Sequence, residues 1–132
     1  ILITRAGPKN RVGISCLVED VRPKLMISDK IIRFHPVEQA LNPKFVSLSL
    51  NAGASARHIE TAKSGMAESQ MNISQADLKR TPIPICPMPE QSRIVAAVAS
   101  LTTLCDRLRE RLAARRALSA KLAAALTETS LQ

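Results

Sequence analysis

The stretch that decides the fold is TPIPICPMPEQSRIVAAVASL, Thr81–Leu101. Its first part carries four prolines, each of which lacks a backbone N–H, fixes its own φ and pushes the preceding residue toward extended geometry. From Glu90 to the last residue, Gln132, the sequence contains neither Pro nor Gly. Ala, Leu, Arg and Glu dominate there. The stretch therefore predicts a boundary between a domain, residues 1–89, and a long helix, residues 90–132.

The predicted helix has one apolar face. Residues along this face alternate at spacings of four and three, which is the pattern of a heptad seam. The seam consists of Ile94, Val98, Leu101, Cys105, Leu108, Leu112, Leu122 and Leu126. It weakens at Arg115 and Ser119, and Leu118 lies one place off. Forty helical residues would span about 60 Å at 1.5 Å per residue, which is too long for the preceding domain to cover. We therefore expect a partner helix; the alternative is a helix folded back on its own domain.

The preceding residues mix short apolar runs with turn residues, which predicts an α+β domain. Three runs rich in Ile and Val indicate strands. These are Ile1–Thr4, Val12–Val18 and Leu25–Phe34, and Thr81–Ile85 is predicted as an edge strand. Since the sequence starts inside an apolar run and without Met, we expect the domain to be N-terminally incomplete.

Helix signals lie between these runs. Asn42 followed by Pro43 predicts an N-cap and a first helical residue, with the helix ending near Asn51 and Gly53 beyond its end. A second helix is predicted for Arg57–Lys63, stopping at Gly65. Ser74, with Asp77 three residues later, predicts a short capped turn.

The composition points to a polyanionic partner. The sequence contains nineteen Lys and Arg residues and eleven Asp and Glu residues, which gives a net charge of +8. The excess of basic residues is present in both halves. Such a charge favours nucleic acid, although it can also serve solubility alone. Only 2% of the residues are aromatic. Because single-stranded bases are bound largely by aromatic stacking, duplex DNA is the better candidate.

Catalytic and membrane signals are missing from the sequence. His35 and His58 have no partners at metal-ligand or triad spacing, and the glycines form no phosphate-binding loop. Three scattered cysteines, Cys16, Cys86 and Cys105, are typical of reduced packing residues in the cytoplasm. The sequence contains no apolar run long enough to cross a bilayer. We therefore expect a cytoplasmic binding protein that is not itself an enzyme.

Two polar loops are the candidate DNA-binding segments. The first, TRAGPKNR, contributes guanidinium groups that can contact guanine or phosphate, an ammonium for phosphate and an amide for adenine. The second, KSGMAESQMN, gathers small polar side chains around a glycine. The candidate DNA-binding residues are Arg5, Lys9, Asn10 and Arg11 in the first loop and Lys63, Ser69, Gln70 and Asn72 in the second. Either loop could also be ordinary surface.

Several segments together resemble one protein family. They are ITRAG, LMISDKIIRF, SGMAESQMNIS, the run TPIPICPMPEQ followed by IV, and LCDRLRERL, and they cover nearly the whole chain. These segments are similar to the specificity subunit of type I restriction–modification systems. The run from Asn72 to Val95 is the most specific part of the resemblance.

The resemblance implies an architecture and partners. Such subunits hold two target recognition domains, each followed by a long helix, and the two helices pair as an antiparallel coiled coil that spaces the halves of a bipartite DNA site. This chain would correspond to most of one recognition domain and one spacer helix. The resemblance implies methyltransferase and restriction subunits as partners. It places S-adenosylmethionine, ATP and Mg in those partners, with no cofactor in this chain.

Three alternatives stay open from the sequence. The chain could be a coiled-coil oligomerisation or adaptor protein whose basic charge is incidental. It could be part of a methyltransferase, although no glycine-rich S-adenosylmethionine turn is visible in the sequence. It could also be a half-subunit that pairs with a copy of itself, so that the second spacer helix comes from another copy instead of from the same natural chain.

Overall fold

The computed structural model describes residues 1–21, 24, 26–37 and 39–130, with side chains up to residue 125. The chain divides into two units, residues 1–95 and residues 96–132. The elements in chain order are β1 (Leu2–Thr4), β2 (Ala6–Gly7), β3 (Ser15–Cys16), β4 (Ile31–Arg33), α1 (Pro43–Leu50), α2 (Gly53–Thr61), β5 (Met71–Asn72), α3 (Gln75–Lys79) and α4 (Met88–Ser130). This is the predicted fold class, a small mixed α/β domain followed by a long C-terminal helix.

The strands form two small antiparallel sheets. In the first, β1 lies between β3 and β4, with Ile3 opposite both Ser15 and Ile32. In the second, β2 pairs with β5, so that Ala6 faces Asn72. Because β1 and β2 are separated by a single residue, one continuous segment joins the two sheets.

The hydrophobic core of residues 1–95 is aliphatic, as the low aromatic content predicts. It is built from β1, the turn before β3, helices α1 and α2, and the residue after β5, and its side chains are almost fully removed from solvent. The core cluster consists of Ile1, Ile3, Val12, Val46, Leu50, Ile59 and Ile73, and Phe45 is buried as well.

The two caps predicted in the first domain, at Asn42 and Ser74, are confirmed. Helix α1 begins at Pro43, and the side chain of Asn42 accepts hydrogen bonds from the amides of Lys44 and Phe45. Helix α3 is capped by Ser74, whose hydroxyl accepts a hydrogen bond from the Asp77 amide at 3.0 Å. Both caps satisfy amides that the first helical turn leaves without intrahelical partners.

The second helix differs from its prediction. It spans Gly53–Thr61 instead of Arg57–Lys63, so it begins earlier and ends before Gly65. Gly53 lies beyond the end of α1, as predicted, but it also opens α2 with a φ of +58°. A glycine can adopt this left-handed value without the steric penalty of a Cβ, which permits an abrupt start after the preceding helix.

The predicted strand Val12–Val18 was too long. Only Ser15–Cys16 is a strand, because the preceding residues form a turn in which the amides of Arg11 and Val12 both donate to the Pro8 carbonyl. Gly13 continues this turn with a φ of +85°. The apolar pattern therefore extended the predicted strand over a turn, because the turn residue Val12 is apolar and buried in the core.

Two other strand predictions were also wrong, one in its extent and the other altogether. Of Leu25–Phe34 only Ile31–Arg33 is a strand, since Ser28 accepts a hydrogen bond from the Ile31 amide and turns the chain; Leu25 itself lies outside the described residues. The predicted edge strand Thr81–Ile85 has no regular structure. Prolines in that segment remove the amides that a strand ladder needs.

Helix α4 begins at Met88, two residues before the predicted start at residue 90. Glu90 lies in its first turn, where a negative charge is favourable, and accepts two hydrogen bonds from Arg93 at 2.6 and 2.7 Å. This hydrogen bond to Arg93 lowers the pKa of Glu90 below its ordinary value. No helix among the described residues has the length and apolar character needed to cross a membrane.

Candidate nucleic-acid interface

The structure brings the two predicted DNA-binding loops together. The pairing of β2 with β5 places Gly7 opposite Met71, and Ser64 forms a further bridge with Asn72. The Lys9 amide donates to the carbonyl of Glu68 at 2.7 Å, which joins the loop tips as well. Residues from separate parts of the sequence thereby form one surface, which we call the loop surface, comprising residues 5–11 and 63–72.

The two lysines of the loop surface are both engaged in ion pairs. Lys9 Nζ lies 2.7 Å from a carboxylate oxygen of Glu68. Lys63 Nζ lies 2.5 Å from a carboxylate oxygen of Glu60 and donates to the Lys9 carbonyl at 2.9 Å. The side chain of Lys63 is only 8% exposed, so its ammonium helps to hold the first loop in place.

The pair between Lys9 and Glu68 is solvent-exposed. Its hydrogen bond raises the pKa of Lys9 and lowers the pKa of Glu68, so both groups are charged at neutral pH. An exposed pair of this kind contributes little to stability and exchanges readily with other ions. Lys9 can therefore leave Glu68 for a phosphate, whereas the buried Lys63 is the less available of the two.

The other predicted contact residues differ in their availability. Arg11 and Asn10 are exposed beside Lys9, and Ser69, Gln70 and Asn72 are exposed on the second loop. Among the described residues, the Arg11 guanidinium has no hydrogen-bond or ion-pair partner. These groups can meet a ligand without first breaking a contact.

Arg5 is held more tightly than the sequence indicates. Its backbone is bonded to the residues that flank β4 and β5, since its amide donates to the Lys30 carbonyl and its carbonyl accepts from the Ile73 amide, both at 2.8 Å. Its Nε atom is buried without a hydrogen-bond partner among the described residues. The side chain is thus partly withdrawn from the surface, and the residue as a whole is half-buried.

The loop surface borders an open groove of about 640 Å³. Its charged lining is balanced, because Lys9 and Lys63 are accompanied by Glu60 and Glu68. Sequence reasoning missed these two glutamates, because Glu68 is 59 residues from Lys9 along the chain and Glu60, three residues before Lys63, lies outside the polar stretch that was considered. It also missed Met66, a fully exposed apolar side chain on the second loop.

The second candidate surface is the seam of helix α4. Leucines along it are about half exposed or more, for instance 62% at Leu101 and 57% at Leu122. Cys105, Leu108 and Leu112 are exposed too, while Ile94 and Val98 are half-buried. The side chain of Leu126 lies outside the described residues. Sequence reasoning left out Leu104, which is 53% exposed and widens the apolar face.

Comparison with known proteins identifies the family. The family model of the type I restriction modification DNA specificity domain matches residues 9–115. The specificity subunit of the type I restriction enzyme EcoEI from Escherichia coli is 51% identical over 131 residues, which cover 99% of this chain and 22% of that protein. The chain thus spans about a fifth of the length of this relative, and no solved structure gives a significant match. The family model covers most of the chain, and the identity to the relative extends over nearly all of it. The chain therefore belongs to the type I restriction modification DNA specificity domains.

Proposed function

We propose that this chain is the duplex-DNA-reading part of a type I specificity subunit. The observation that carries the proposal is the pairing of Ala6 with Asn72 and of Gly7 with Met71, which merges two polar loops into one surface. Family membership and a net charge of +8 support it. On this surface Arg11 and Asn10 reach the DNA first, with Lys9 joining after it leaves Glu68.

Helix α4 serves as the spacer in this proposal. Its exposed leucine seam pairs with a second helix, which comes either from another copy of the chain or from the remainder of a longer natural chain. The pair sets the gap between the two halves of a bipartite DNA site. The exposure of Leu101, Leu108 and Leu112 supports this role, because an isolated apolar stripe of this length is unfavourable in water.

The chemistry of modification and cleavage lies in partner subunits. Methyltransferase and restriction subunits join the specificity subunit, and they bind S-adenosylmethionine, ATP and Mg. The role of this chain is to direct them to a sequence, in the cytoplasm, without catalysis of its own. Since one recognition module makes few contacts with DNA, we expect weak binding without the methyltransferase partner.

The test is DNA binding as a function of salt. The chain, alone and within the complete complex with methyltransferase subunits, is titrated with a fluorescent duplex at several salt concentrations. Arg11→Ala should weaken binding and reduce the slope of log affinity against log salt by about one phosphate contact, roughly 0.9. Arg107→Ala, an exposed arginine on α4 outside the seam, is the matched control and should leave the slope unchanged.

The same titration distinguishes the adaptor alternative. The observation that favours an adaptor is the ion pairing of Lys9 and Lys63, which removes positive charge from the loop surface. An adaptor with incidental charge would show equal salt slopes for both arginine variants and no sequence preference in a random duplex library. That combination of results would reject the DNA-reading proposal.

A further inference from the structure

Gln91 is a buried polar residue in the first turns of helix α4. Its side chain is fully removed from solvent, with an exposure of 0%, whereas the next two residues, Ser92 and Arg93, are exposed. A buried amide is unfavourable unless its donors and its acceptor all find partners. A surface helix that serves only to present an apolar seam has no need for such a residue. The burial of Gln91 therefore indicates a role in holding the start of α4 in position.

All the hydrogen-bonding groups of the Gln91 amide are used. Its Oε1 accepts from the Asn42 amide at 2.8 Å. Its Nε2 donates to the Ala40 carbonyl at 3.0 Å and to the Cys86 carbonyl at 2.8 Å. One side chain thus links α4 to the segment before α1 and to the proline-rich segment that leads into α4.

The linked segment before α1 is itself well fixed. Asn42, which donates to Gln91, caps α1 through its side chain, and α1 contributes Val46 and Leu50 to the core. Among the hydrogen bonds of the described residues, those of Gln91 are the ones that tie residues 88–95 to residues 1–85. Gln91 therefore connects the start of α4, by hydrogen bonds, to a segment that is fixed on the core.

We propose that Gln91 is a positioning residue that fixes the start of helix α4 on the domain. Three directional bonds from one planar amide define an orientation, whereas the hydrophobic effect that drives apolar burial is non-directional. On the proposed function, on which this consequence rests, Gln91 fixes the point at which the DNA-reading domain passes into the spacer helix.

The experiment measures a distance distribution by pulsed electron spin resonance. Spin labels are attached to an Arg57→Cys substitution on α2 and to a Ser92→Cys substitution in the first turns of α4, both within residues 1–95, in a Cys16→Ser/Cys86→Ala/Cys105→Ala background. Ser92 is exposed and lies outside the seam, so the label avoids the pairing face. Dilution with unlabelled chain restricts the signal to distances within one molecule.

Three variants give a ranked expectation. Gln91→Met keeps the size and removes all three bonds, and it should broaden the distribution by about two-fold or more as the first turn opens locally. Gln91→Glu should give an intermediate width, because burial raises a carboxyl pKa and a protonated Glu keeps one acceptor and one donor. Asn51→Ala is the matched control: its amide also makes three bonds to backbone atoms, but of residues 15 and 47, and its loss should leave the width unchanged.

Several results would overturn the proposal. They are an unchanged width in a folded Gln91→Met chain, an equally broad distribution in the unsubstituted chain, or equal broadening by Asn51→Ala. If Gln91→Met fails to fold, amide hydrogen exchange of the unsubstituted chain is measured instead. The proposal requires the Asn42 amide, which donates to Gln91, to be protected as strongly as the core amide of Ile73, and weaker protection overturns it. Since neither measurement uses DNA, this proposal and the proposed function can fail independently.

Discussion

The domain and the helix use similar apolar residues in opposite ways. In residues 1–95, Val46 and Ile73 are completely buried, while in residues 96–132 Leu101 and Leu118 are about 60% exposed. The domain has long-range strand and helix pairings that enclose its apolar groups, and a single helix cannot enclose its own. Apolar content therefore predicts burial only where the chain can return on itself. A long apolar stripe on one helix indicates a surface for another helix.

The largest expected effect concerns the helix. In a pair of α4 helices, Leu101→Glu/Leu108→Glu would place four charges in the seam. Because Leu101 and Leu108 are 62% and 49% exposed before pairing, losing the burial of four leucines alone weakens pairing by about 3 to 6 kcal/mol. Light scattering should show a dimer for the parent chain and a monomer for the variant. Thr103→Glu/Ala114→Glu, both exposed and outside the seam, should remain dimeric. A monomeric parent that is stably folded would exclude pairing between copies of this chain and leave the remainder of a longer natural chain as the source of the second helix.

The next effect concerns the domain core. Ile73 follows β5 directly, is 0% exposed and donates its amide to Arg5. Ile73→Ala should reduce the free energy of unfolding by about 2 to 5 kcal/mol through lost burial and a cavity. Denaturant unfolding measures this, with Met66→Ala as control, because truncating a fully exposed side chain should change stability by less than about 0.5 kcal/mol. Equal effects of the two variants would contradict the burial of Ile73.

A smaller effect concerns the turn that shortens β3. Gly13 has a φ of +85°, and an added Cβ would collide with Cγ2 of Ile59. Gly13→Ala should destabilise the domain by about 1 to 3 kcal/mol. Gly53→Ala, at a φ of +58° but in open space, isolates the backbone penalty and should lose less. Thermal unfolding compares the two, and an equal loss would show that Ile59 moves aside.

The smallest effect concerns the loop surface. Glu68→Gln frees Lys9 from its ion pair, so DNA binding should strengthen modestly and its salt slope should steepen by about 0.9. Glu110→Gln on the exposed face of α4 makes the same charge change elsewhere and should alter the slope less. A weaker affinity for Glu68→Gln would mean that Glu68 orders the loop for binding.

The same pair predicts a pH dependence. Since the pKa of Glu68 is lowered by its bond to Lys9, the stabilisation from the pair is present above the unfolded pKa of Glu68 and is lost as pH falls through the folded value. Acid should thus release Lys9 while leaving it charged. Nuclear magnetic resonance titration of the Glu68 carboxyl, compared between the parent and Lys9→Met, should show the lowered pKa only in the parent.

Sequence patterns predicted the elements that local chemistry controls. The caps at Asn42 and Ser74 and the long helix after Pro89 depend on neighbouring residues, and all three were found close to their expected places. Strand lengths were overestimated because the turn at Val12 and Gly13 lies within an apolar run, and because the polar residues 28–30, which also form a turn, were included in a predicted strand. The DNA-binding residues named from the two loops stay a prediction.

By itself, the sequence determined the aliphatic core, the basic charge, the break at the prolines and the helix that lacks Pro and Gly. Only the tertiary structure decided that β2 pairs with β5, that Lys9 meets Glu68 and that Gln91 is buried against Asn42. The physical reason is separation along the chain: Lys9 and Glu68 are 59 residues apart and Gln91 and Asn42 are 49 apart. Local propensity cannot select such partners, whereas closing the core around β1 brings them within hydrogen-bond distance.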